Sequence, residues 1–96
     1  MARIRITSWR EIPVLVTARD GPAETTVPLS QRFQDLVDAV AVQAGLAGSE
    51  EYLAEWRAGP EEERPGPAAV VASQVAAALE ARFAEIRAQA LRPDQP

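Results

Sequence analysis

Between Pro67 and Pro93 the chain has no further proline and no glycine, while Val71, Val75, Ala78, Leu79, Arg82, Phe83, Ile86 and Ala90 recur at three- and four-residue spacings. That pattern predicts one helix, with Pro67 at its first position and an end near Leu91. At 1.5 Å per residue such a helix is about 37 Å long. A compact chain of this size has a radius of gyration near 12.5 Å and a diameter of about 32 Å. One helix as long as the domain must either lie across everything else or overhang it. It is built largely from alanine, and alanine makes up 19 of the 45 hydrophobic residues in the whole 96-residue chain. Only 26 larger apolar side chains remain, enough for a single modest core and one domain. That domain is expected to span residues 1–92, with 93–96 a disordered tail.

The opposite end of the chain has a different period. Arg3, Arg5 and Thr7 alternate with Ile4, Ile6 and Ser8, as in a half-buried strand. Pro13 marks Trp9 to Pro13 as a turn or crossover, and Val14 to Arg19 resumes strand chemistry. Asp20-Gly21 signals a tight hairpin leading into Glu24 to Val27, a third strand. From Ser30 the spacing of Phe33, Leu36, Val37, Val40, Ala41 and Ala44 is helical, with Ser30 the candidate N-cap and Gly45 the residue past its end. Ser49 ahead of Glu50 and Glu51 caps a short helix that would set Tyr52, Leu53 and Trp56 on one side and stop at Gly59. Residues 60–67, with three prolines, read as a loop. The expected fold is α+β: a three-stranded antiparallel sheet followed by three helices packed on one face.

Composition removes most chemistry. Cysteine and histidine are absent, and every one of the ten cations is arginine, so lysine is absent too. Disulfides, thiolate nucleophiles, imidazole bases, Cys/His zinc sites and Schiff-base lysines are therefore excluded. Carboxylates remain, as Asp35 with Asp38, Glu80 with Glu85, and Glu61-Glu62-Glu63. The helical pairs lie opposite apolar stripes, and three consecutive residues in a loop point apart. No catalytic residue, metal site or cofactor is expected. The net charge of −4 argues against nucleic acid as a partner. A charge at every second N-terminal position and the lack of a long apolar run argue against a signal peptide and a membrane span, which leaves the cytoplasm.

Residues 1–20 carry Arg3, Arg5, Arg10 and Arg19 against only Glu11 and Asp20, whereas the rest of the chain is strongly acidic. Arg3 and Arg5 project from one strand face, with Arg10 just beyond. They are candidates to hold a small anion or an acidic partner, with Trp9 as a lid, or to pair with the chain's own acids. Tyr52 and Trp56, four residues apart, either pack inside the domain or form a partner-binding patch. Arg3, Arg5, Trp9, Arg10, Glu11, Tyr52 and Trp56 are thus the candidate contacts for a ligand or partner.

Three strings occur in a recognisable order: Ile4-Arg5-Ile6-Thr7-Ser8-Trp9-Arg10-Glu11-Ile12-Pro13, Arg32-Phe33, and Ala44-Gly45-Leu46-Ala47-Gly48-Ser49-Glu50-Glu51-Tyr52-Leu53-Ala54-Glu55-Trp56-Arg57. Together they resemble a family of short bacterial proteins named virulence factor, whose domain also occurs inside the larger conserved virulence factor C. The resemblance covers residues 1 to about 59 and implies a small cytoplasmic protein with no established reaction. An accessory role near folate- and corrinoid-dependent one-carbon metabolism is conceivable from the resemblance alone. The residues themselves favour a non-catalytic protein-interaction module that forms a homodimer or docks on a larger protein. The alternative is a small-anion or cofactor binder.

Overall fold

The protein, described here from a computed structural model over residues 1–91, is α+β. The tail expected at 93–96 lies outside the described residues. β1 (Ala2–Trp9), β2 (Ile12–Asp20) and β3 (Ala23–Pro28) form an antiparallel meander, as the alternation and the Asp20-Gly21 turn predict. Gly21 takes the left-handed φ of 60° that this turn needs. The sheet has five strands rather than three. The free edge of β1 is filled in tandem by β4 (Trp56–Ala58), opposite Thr7 to Trp9, and β5 (Glu62–Arg64), opposite Ala2 to Ile4. Neither segment looks like a strand in the sequence. Both pair because β1 would otherwise leave a row of backbone N–H and C=O groups unsatisfied. Gly59 bridges the two, donating its N–H to the Ile6 carbonyl at 2.8 Å.

Trp9 to Pro13 is not a crossover. β1 turns directly into β2 through Arg10-Glu11, with Trp9 opposite Ile12. The register shifts between Thr7 and Ser8, making Val14 the extra residue of a bulge beside Pro13, a position where a strand tolerates proline.

Helix α1 (Gln31–Gln43) buries Phe33, Leu36, Val37, Val40 and Ala41 of the stripe that its period predicts, whereas Ala44 is the exposed C-cap. Gly45 follows with a φ of 75°. The short helix α2 (Glu50–Ala54) is capped by Ser49, whose hydroxyl accepts from the Tyr52 N–H. It ends before Trp56, which lies in β4, and leaves Leu53 exposed. The single C-terminal helix of the sequence reading is instead two, α3 (Ala68–Ala81) and α4 (Phe83–Ala90), broken at Arg82. No proline or glycine causes the break. The Arg82 N–H reaches the Leu79 carbonyl three residues back, a tightened turn, and the chain then redirects so that the Phe83 ring meets Phe33 edge-on at 5.0 Å. The chain is elongated, 44 × 27 × 24 Å. Among the described residues no helix is long and apolar enough to cross a membrane.

The core joins Ile4, Val16 and Ala18 of the sheet to α1, to Ile86 of α4 and to Ala68, Val71, Ala72 and Ala76 of α3. Helix α3 thus presents its small residues to the strands, chiefly β2 and β3. Trp9 is fully buried at the other end of β1. Its indole N–H donates to the Tyr52 carbonyl at 2.8 Å, so the polar atom of the largest core side chain is satisfied.

A second polar joint closes the helical layer. Ser30 occupies the N-cap of α1, but its own side chain makes no cap bond. Glu80, from α3, accepts from the Ser30 backbone N–H at 2.6 Å and from the Ser30 hydroxyl at 2.8 Å. Arg32 donates to both the carboxylate and the carbonyl of Glu80 and stacks over Phe83 at 4.4 Å. The Ser30 backbone bond, seconded by the Ser30 hydroxyl and Arg32, holds the Glu80 carboxyl below its ordinary value, although partial burial works the other way.

Two expectations follow. Glu80→Ala should cost about 1 kcal/mol at pH 7, the worth of a helix cap. Because the folded-state value of Glu80 is lowered, its contribution is complete above the ordinary carboxylate range and is lost as pH falls through the lowered value. In urea titrations the deficit of Glu80→Ala should therefore shrink in acid, and Glu80→Gln should show a shallower acid loss than the wild type. Trp9→Phe, which strands the Tyr52 carbonyl and removes core volume, should cost about 2 kcal/mol, read as a lowered urea midpoint at unchanged slope.

Candidate functional site

The seven residues singled out in the sequence separate into three places. Trp9, Arg10, Tyr52 and Trp56 come together at the β1–β2 turn. The Tyr52 ring lies 5.6 Å from Trp9 and meets Trp56 edge-on at 6.3 Å. Arg10 adopts a φ of 55°, a left-handed conformation that costs a non-glycine residue about 1–2 kcal/mol. It is held there from both sides. Its backbone N–H and its Nε both donate to Glu55, the latter at 2.7 Å, and its guanidinium lies 5.0 Å from the Trp9 ring. Trp9, with no exposed surface, is the floor of this cluster and has no freedom to act as a lid. The arrangement pins α2 to the hairpin and consumes the polar groups that a ligand would need.

Arg3 and Arg5 lie on the outer sheet face and do not converge with Arg10. Their neighbour is Arg19, directly opposite Arg3 across β1 and β2. These three arginines, with Thr7, Thr17 and Glu61, line a shallow recess of about 150 Å³. Like charges face each other there, which is destabilising unless it is compensated. Compensation comes from both flanks: Glu24 of β3 sits 3.0 Å from Arg19, and Glu63 of β5 sits 3.8 Å from Arg3. Arg5 has Glu61 at 3.9 Å. The row across four strands reads acid, arginine, arginine, acid. Arg19 escaped the sequence reading because its position opposite Arg3 depends on a register set by the Arg10-Glu11 turn and the bulge beyond it.

Glu11 marks a third place, and sequence reasoning missed most of it. Helix α3 covers β2 and β3 but reaches little of β1, so the core face of the sheet is left open towards β4 and β5. Ile6 shows the consequence: it is the partner of fully buried Val16, yet it is itself only half-buried. Along this opening run two adjoining depressions of about 470 and 420 Å³ that share Ile6, Leu79 and Arg82. The first is walled by Val71, Val75 and Ala78 of α3 and by Arg64 at the end of β5 and Pro65 after it. The second continues past the helix break to Ile86 and Gln89 and is rimmed by Glu11, Pro13 and Pro60. Arg64 and Arg82, at its edges, are paired with Glu62 and Glu85. The stripe predicted for α3 thus does two jobs: Val71 seals the core, whereas Val75, Ala78 and Leu79 form the wall of an open groove. Only the placement of β4 and β5 reveals which part of the stripe lacks a cover.

Among the described residues no charged side chain is buried, and the Glu80 carboxyl is held below its ordinary value by the Ser30 backbone bond, which favours its ionised form. A general acid at neutral pH needs the opposite shift.

No curated protein and no solved structure shows a significant match to the chain. The family model described as Virulence factor matches residues 7–91, which take in the hairpin, the aromatic cluster, both walls of the groove and the broken helix. The chain belongs to the virulence factor family.

Proposed function

We propose that this protein is a non-catalytic, cytoplasmic interaction module whose groove between α3–α4 and the β1–β4–β5 side of the sheet receives an amphipathic helix of a larger partner protein. The observation that carries this reading is the uncovered core face. A helix masks about 10 Å of sheet, or two strands, and α3 already occupies β2 and β3. What is left is a slot one helix wide, floored by Ile6 and walled by Val75, Leu79 and Ile86. Helix-in-groove recognition uses this kind of apolar trough with a polar rim. The paired arginines and glutamates at the rim keep the trough soluble while it is empty and give a partner's polar face local hydrogen-bond partners.

The competing reading, a small-anion or cofactor binder with a link to one-carbon metabolism, has its best host in the Arg3, Arg5 and Arg19 recess. There each guanidinium already has a carboxylate beside it, which an incoming anion would have to displace.

Ala78 is exposed on the groove wall, so a glutamate there leaves the core untouched; Ala88, exposed on α4, serves as the matched control. In affinity capture from native-host lysate, Ala78→Glu should lower recovery of the wild-type partner about tenfold or more, the effect of about 1.4 kcal/mol at an interface, with Ala88→Glu unchanged. Equal recovery by the wild type and Ala78→Glu would remove the groove from the reading.

A further inference from the structure

We infer that the free edge of β3 is a dimerisation surface, on which a second copy of this chain adds its own β3 in antiparallel register and joins two five-stranded sheets into one. This surface lies on the side of α3 away from the groove, and the inference does not depend on it.

Among the described residues β3 has β2 on one side and no strand on the other. Which backbone groups are free follows from the ladder. Leu29 donates to the Val14 carbonyl, and the Leu29–Val14 pairing extends the register of Val27 with Val16, Thr25 with Ala18 and Ala23 with Asp20. In an antiparallel ladder alternate pairs exchange hydrogen bonds, so Ala23, Thr25 and Val27 bond inwards. Glu24 and Thr26 therefore direct both N–H and C=O outwards, and Pro28, with no N–H, ends the row. Glu24 and Thr26 are exposed, and neither makes a backbone hydrogen bond to a loop or a side chain among the described residues.

This short edge is self-complementary. With Thr25 opposite Thr25 of the second copy, Glu24 faces Thr26 and Thr26 faces Glu24, and every outward N–H and C=O of these residues is bonded. A two-residue slip one way opposes Glu24 to Glu24, a like-charge pair. The slip the other way spends the row on Pro28 and leaves the Glu24 carbonyl without a donor. In the favoured register the outer row continues from Arg3, Arg19 and Glu24 into Thr26 and Thr17 of the second copy, so opposite charges stay adjacent and like charges never meet at the seam. Beneath it, the half-buried Thr25 and Val27 extend the apolar face shared by Val16 and Ala18.

Helix α3 fits the same symmetry. Glu80 reaches Ser30, just beyond β3, so the line Ala69, Ser73, Ala76 and Glu80 marks the flank of α3 that overlooks this edge. A helix seated over β2 and β3 stands about 5 Å from the new two-fold axis, which sets the two α3 axes about 10 Å apart. Helices pack at 8–10 Å when small residues line the contact, as alanine and serine do here. A contact roughly 20 Å long and one sheet-plus-helix layer high buries on the order of 400 Å² per copy, the size of a weak, transient contact, so monomer and dimer should exchange over the micromolar to millimolar range.

The test is sedimentation equilibrium of the full 96-residue chain from about 1 μM to about 1 mM, a range that brackets a micromolar dissociation constant. The mass should climb from one chain towards two. Thr26→Pro removes an N–H that points to water in the single chain, so it should keep the far-UV circular dichroism spectrum while weakening association at least about tenfold. Amide exchange of the wild type supplies a readout free of any substitution: the Glu24 and Thr26 N–H groups should slow about tenfold or more on concentration, while that of Thr25, already bonded to β2, stays constant. A mass of one chain at every concentration overturns the inference. So does a dimer in which the Glu24 and Thr26 amides exchange as fast as in the dilute sample.

Discussion

Strand β1 has to be paired along both edges, and most of the architecture is a response to that demand. Eight residues long and carrying Arg3 and Arg5, it is the middle of the sheet and not its rim. One edge is met by β2 through a two-residue turn. The other is met by two three-residue segments joined through Gly59-Pro60-Glu61, where the Gly59 backbone approaches Ile6 so closely that a Cβ there would sit 3.3 Å from its carbonyl oxygen. Pairing the backbone groups of β1 offsets the ordering of a proline-rich segment, so a stretch with no apolar pattern still becomes strand.

That solution leaves the fold asymmetric. The meander side, β2 and β3, is covered by α3, and the tandem side is not. Because α3 turns its alanines to the sheet, it sits close over those two strands, and its larger side chains Val75 and Leu79 are displaced sideways into the open groove. The break at Arg82 then swings α4 so that Phe83 meets Phe33 and Ile86 enters the core. Glu80 locks the joint by serving as a cap for a helix fifty residues away in sequence. Each of these features is a compromise of a small core: with few large apolar side chains, the chain secures its elements by shared polar contacts as much as by bulk.

The two flanks of α3 differ in character. One is a concave apolar trough, suited to an element that inserts. The other borders a flat strand edge with free backbone groups and small side chains, suited to a symmetric neighbour. The aromatic cluster at the β1–β2 turn holds Arg10 at the far end of the trough through Glu55 and the Trp9 ring. The strings Trp9 to Pro13 and Ser49 to Trp56 build the clamp between hairpin and α2.

What local rules govern was legible in the residues alone. Alternation gave away β1, the Asp20-Gly21 turn gave away the β2–β3 hairpin, and the 3.6-residue period with Gly45 and Ser49 delimited α1 and the start of α2. All of these depend on neighbours within a few positions. The remainder was settled by contacts between distant segments: β4 and β5 exist because β1 needed partners, α3 and α4 separate because Phe83 found Phe33, Trp9 is buried because Tyr52 lies over it, and Arg19 rather than Arg10 joins Arg3 because a bulge shifted the register. The groove belongs to that second class. A stripe of apolar residues states that a helix has a side to hide, and only the positions of the other elements determine how much of that side they have left uncovered.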